Sequence, residues 1–85
     1  MKDFIAQTLR RPDPSIAELI ACCEAVKEEG GILVIKFDGE RPSGQYTTFI
    51  SVPGDLEHST IRSDGDDLKA CLSNILQRYL SQKVE

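Results

Sequence analysis

The sequence is poor in the residues from which small active sites and stapled folds are made. It has one histidine and three cysteines in 85 residues. No C-x2-C spacing occurs, and His58 lies far from every cysteine, so no zinc-type ligand set can be read from it. Cys22 and Cys23 are neighbours. On a helix such neighbours point about 100° apart and do not bridge. An odd count without a framework implies reduced thiols, and the compartment expected from that is the cytoplasm. There is no G-x-S-x-G, H-E-x-x-H, P-loop or G-x-G-x-x-G pattern. Apolar runs are short: Ile32 to Ile35 falls far below the roughly 20 residues of a membrane span. The start, Met1-Lys2-Asp3-Phe4-Ile5, carries a charge pair and no following apolar run, which is not the pattern of a signal peptide.

What is present describes an ordinary small globular chain. Charged residues make up 28% and hydrophobic ones 40%, and 10 Lys+Arg against 14 Asp+Glu leave a net charge of −4. The length implies one domain over 1–85 and excludes a TIM barrel, a two-domain enzyme or a dinucleotide-binding fold. A domain this small has a thin core and usually leans on disulfides, a metal or a partner. With no sign of the first two, a second subunit is the support expected.

The periodicity divides the chain into six elements. Met1, Ile5 and Leu9, with Phe4 beside them, form one stripe of a short helix over 1–10, and Pro12 and Pro14 break it. Residues 1–12 could thus form a separate N-terminal arm. A second helix is predicted over 14–29. Its start is either Asp13 with Pro14 at the first position, or Ser15 with Glu18 as a capping box. Its apolar stripe reads Ile16, Leu19, Ile20, Cys23, Val26, with Cys22 at the edge. Gly30-Gly31 closes it. Strands follow over 32–38, 46–52 and 59–62, with short connections that favour an antiparallel meander. Pro53-Gly54-Asp55 turns the chain between the last two. Asp64, Asp66 and Asp67 read as the cap and first turn of a final helix carrying Leu68, Cys71, Leu72, Ile75, Leu76, Tyr79 and Leu80. The expected fold is α+β, in the order α-α-β-β-β-α, with helices packed on the sheet.

The first strand raises a question of cover. Leu33, Ile35 and Phe37 point to one face and should meet the helices. Ile32 and Val34 point to the other, where a solvated sheet would be polar. Phe49 or Ile50 joins them, depending on register. The cover is either the N-terminal helix, through Phe4, Ile5 and Leu9, or a second subunit. The protein interface expected is therefore Ile32, Val34, Phe49, Phe4 and Ile5, and the assembly a homodimer.

Other clusters carry less. Asp64-Gly65-Asp66-Asp67 does not continue as a calcium loop, because Leu68, Lys69 and Ile75 stand where ligands and glycine are required. His58, with Asp55, Glu57 and Ser59 near it, reads as a solvated turn residue. The cysteines read as small core residues, and Cys22 beside Glu18 and Glu24 disfavours a thiolate. The loop Asp38–Gly44 is longer than a hairpin needs and is a candidate contact.

The only anion-binding set available is Arg10, Arg11, Lys36, Arg41 and Arg62. A helix, three antiparallel strands and a helix resembles the element order of double-stranded-RNA-binding domains, although no motif is shared. Those domains place bases at the start of the last helix, where this chain has Asp64, Asp66 and Asp67. Acids there would repel a phosphate backbone. The expectation is a non-catalytic protein-interaction module with no cofactor, metal or membrane contact. The alternatives are a nucleic-acid accessory protein using the basic set and, more weakly, an acidic mimic of nucleic acid.

Overall fold

The computed structural model describes residues 2–52 and 59–82. His58, Asp55, Glu57 and the Pro53-Gly54-Asp55 turn lie outside the described residues. The order is α1 (Lys2–Arg10), α2 (Ile16–Glu28), β1 (Ile32–Phe37), β2 (Tyr46–Val52), β3 (Ser59–Gly65) and α3 (Leu68–Gln82). The strands form one antiparallel sheet in the order β1-β2-β3. The fold is α+β, with α2 and α3 contacting the sheet and α1 packed on those two helices. No helix among the described residues is long and apolar enough to cross a membrane.

Both ends of α2 follow local chemistry. Ser15 is the N-cap: its hydroxyl accepts from the Glu18 N–H, and the Glu18 carboxylate accepts from the Ser15 N–H. Of the two possible starts, the capping box is the one formed. The Ser15 N–H, and then the Arg11 guanidinium paired with it, hold the Glu18 carboxyl below its ordinary range. At the other end the Gly30 N–H donates to the Lys27 carbonyl and the Gly31 N–H to the Val26 carbonyl. Gly30 has φ +95°. This pair of bonds around a left-handed residue is a Schellman motif.

One core joins all six elements. Its buried residues are Ile5 from α1, Leu19, Cys22, Cys23, Ala25 and Val26 from α2, Ile50 and Ile61 from the sheet, and Leu72, Ile75, Leu76 and Tyr79 from α3. Leu33 and Ile35 of β1 pack against it, half-buried. The α3 stripe is therefore core, as its period indicates. Tyr79 is buried among apolar side chains and donates its hydroxyl to the Glu29 carboxylate at the end of α2. Burial, then the hydrogen bond to Glu29 and its charge, raise the Tyr79 pKa.

Four sequence readings change. The first concerns α1, which packs on α2 and α3 and buries Ile5 completely; it is part of the single core and not an arm. On α2, Cys22 is fully buried while Ile16 and Ile20 are exposed, so the stripe is rotated toward α1 and α3. Next, β3 runs on to Gly65, because Tyr46, Thr47 and Thr48 pair with Gly65, Asp64 and Ser63. Asp64 is accordingly a strand residue, ion-paired with Arg62 at 3.2 Å. Last, Phe37 lies on the helix side of the sheet but beyond the helices; it is 67% exposed and stacks edge-on against Tyr46.

Candidate interaction surface

The two faces of the sheet differ sharply. Leu33, Ile35, Thr48, Ile50 and Ile61 face the helices. Register places Ile32 opposite Ser51, Val34 opposite Phe49 and Lys36 opposite Thr47 on the reverse face, with Phe49 opposite Arg62. Since α1 contacts only α2 and α3, no described helix covers that reverse face. Ile32 is 51% exposed and Val34 38%, with half-buried Phe49 directly beside Val34. Three adjacent apolar side chains thus stand on a sheet face that no described element covers.

The other end of this face is charged and internally paired. Lys36 meets Asp38 at 3.5 Å, and Arg62 meets Asp64. The hydrogen bond from Arg62 is the main reason the Asp64 carboxyl lies below its ordinary range. Arg41 folds back from the β1–β2 loop, reaching Thr47 Oγ1 at 3.5 Å and lying against Gly44. Gly44 has φ +63°, a turn geometry that glycine supplies without strain.

That loop is held from within. The Asp38 N–H donates to the Gln45 carbonyl at 2.8 Å, and the Glu40 N–H to Asp38 Oδ1 at 3.1 Å. Gln45 donates its side-chain amide to the Arg41 carbonyl. Across the sheet end, Asp66 accepts from the Gly44 and Gln45 N–H groups. The three aspartates before α3 therefore have three tasks: Asp64 pairs in the strand, Asp66 staples the loop, and Asp67 stands at the cap position, its carbonyl accepting from Cys71 N–H. Sequence reasoning assigned all three to the helix start and missed the staple.

The five basic residues do not form one patch. Lys36, Arg41 and Arg62 belong to the open sheet face, where Asp38 and Asp64 accompany them. Arg10 and Arg11 sit at the end of α1, across the helical layer, with Arg11 paired to Glu18. Of the apolar set, Phe4 is exposed on the helical side, and Ile5 is core with no surface left to offer a partner. A shallow trough of about 540 Å³ runs along Ala70, Ser73, Asn74, Gln77, Arg78 and Ser81 on the outer side of α3. It assembles no acid–base pair. No group of three His, Cys, Asp or Glu side chains among the described residues could hold a metal ion.

The thiols are buried and free. Burial pushes Cys23 up to about 11, with Cys22 beside it adding to the rise. Cys22 is raised too, by burial first and by Glu18, against a hydrogen bond from Thr8. Both stay protonated at neutral pH. Because the folded Cys23 pKa lies above the ordinary thiol value, its contribution to stability is complete below that value and is lost as pH rises toward about 11. Labelling by a disulfide reagent at pH 8 is expected to be slow in the native state and complete in denaturant. Prompt labelling of Cys71 or Cys23 in folded protein would contradict this placement.

Comparison of the chain with protein-family models, with curated proteins and with solved structures yields no match.

Proposed function

We propose that this protein is a non-catalytic interaction module that acts as a homodimer in the cytoplasm, through the apolar part of its open sheet face. The observation that carries the reading is the group of Ile32, Val34 and Phe49, which no described element covers, on a domain whose described helices lie on the opposite side. Burying such side chains is worth roughly 1.5–3 kcal/mol each, and a thin core gains most from it. The charged rim fits a second copy as well. A two-fold contact apposes a surface with itself, and a rim holding Lys36, Asp38, Arg62 and Asp64 carries both signs. A nucleic-acid role is disfavoured by the same rim, where Asp38 and Asp64 neutralise the bases that phosphates would need.

The test is sedimentation at micromolar to millimolar concentration, wild type against Val34→Lys. Wild type is expected near twice the 9.4 kDa chain mass, and Val34→Lys is expected as a folded monomer. Wild type at the chain mass throughout, or a Val34→Lys variant that remains a folded dimer, would refute the reading.

A further inference from the structure

The two edges of the sheet are not alike. In an antiparallel ladder, residues alternate between those that bond the neighbouring strand and those whose backbone groups point away. The bond from Asp38 N–H to the Gln45 carbonyl fixes the phase. With the observed register it places Ile32, Val34 and Lys36 in the bonded pairs with β2. The N–H and C=O groups of Leu33, Ile35 and Phe37 therefore point out of the β1 edge, and no partner for them occurs among the described residues. The same alternation carried across β2 turns the groups of Thr60, Arg62 and Asp64 out of the β3 edge. There Arg78 of α3 donates to the Arg62 carbonyl at 2.8 Å and so occupies one of those outward acceptors. Charged side chains are a common device for blocking an edge. β3 has that guard. Among the described residues no such side chain reaches the β1 edge, and its one charge, Lys36, pairs with Asp38.

We infer that a second copy of this chain adds to the β1 edge, antiparallel, with the two-fold axis between the two Ile35 residues. The inference rests on the self-association reading but moves the contact from the face to the β1 edge, where Val34 gains a neighbour from the second copy and Phe49, on the central strand, does not. Outward groups must face outward groups, which limits the registers to a few. Only the register centred on Ile35 pairs Leu33 with Phe37 of the second copy, Ile35 with Ile35, and Phe37 with Leu33. A shift toward Asp38 sets Lys36 against Lys36, a destabilising like-charge pair. A shift toward Ile32 leaves both Phe37 residues unpaired. The central register also sets Val34 beside the Lys36 stem, and gives Phe37, 67% exposed within one chain, an apolar neighbour in Leu33. Joining two six-residue edges buries area at the low end of specific interfaces, below about 1,200 Å², so the dimer is reversible, with a Kd in the micromolar range.

Residue-resolved amide exchange on the intact protein, at about 0.5 mM and at tenfold dilution, tests the geometry. The amides of Leu33, Ile35 and Phe37 are expected to exchange on the order of tenfold more slowly than free amides, and to speed up on dilution as mass action dissociates the dimer. Those of Val34 and Lys36, bonded within the chain, should be slow at both concentrations. A dimer by mass whose Leu33, Ile35 and Phe37 amides exchange freely would overturn the edge geometry and leave self-association standing. A protein at the monomer mass at the higher concentration would overturn both.

Discussion

Replacing Ile75 by alanine lowers the free energy of unfolding by about 2–5 kcal/mol, the range for truncating a large buried aliphatic side chain. Ile75 is fully buried, in the middle of the α3 stripe and among residues of every layer. A total stability of roughly 5–10 kcal/mol for a domain this small makes the loss severe. At about 4–8 °C per kcal/mol, the melting temperature should fall by on the order of 10 °C or more. The measurement is thermal or urea unfolding at one fixed protein concentration, since association would otherwise shift the midpoint. A midpoint within a degree or two of wild type would show that α3 is not the lid of the core.

Gly31→Val is expected to destabilise by about 1–3 kcal/mol, and by more than Gly30→Ala. The two glycines fail for different reasons. Gly30 has open space around it but a left-handed backbone, where a Cβ costs roughly 1–2 kcal/mol. Gly31 has ordinary backbone angles and no room. A Cβ there would lie 2.7 Å from Val26 Cγ1 and 3.2 Å from the Val26 carbonyl oxygen. That carbonyl already accepts the Gly31 N–H, so the new atom and the Schellman bond compete for one space. Valine adds two methyls to the collision. Because β1 begins at the next residue, relief requires tilting the strand away from α2. Denaturant midpoints for the two variants decide the order. Gly30→Ala as the more damaging change would mean that backbone angle, and not the close approach of β1 to α2, governs this junction.

The elements that could be read from the chain are those whose signals are local. The α3 stripe repeats at helical spacing over Leu68–Leu80, and β2 is fenced by Gly44 and Pro53. The capping box and the paired glycines of α2 sit within a few residues of what they cap. What escaped reading depends on distant partners. Ser63, Asp64 and Gly65 have no strand propensity to speak of, and they are extended because Tyr46–Thr48 pairs with them. Whether Cys22 or Ile20 faces inward depends on where α1 docks, which the α2 sequence does not contain. The Asp66 staple joins residues 21 and 22 positions apart. Of the surface, the apolar pair Ile32 and Val34 was legible as a strand with too few polar residues. The side on which α1 would lie was not, since its stripe fits either face of the sheet equally well.

The contact of α1 with α3 has a consequence for biosynthesis. During synthesis α1 has to wait for α3, because Ile5 shares its core with Leu72, Ile75 and Leu76. At roughly 5–20 residues per second, the β1 strand is made several seconds before α3 can cover the sheet. Vectorial emergence therefore gives no stable intermediate an early start: the nascent chain carries an apolar strand with an open edge until α3 has emerged, and only then can the core close.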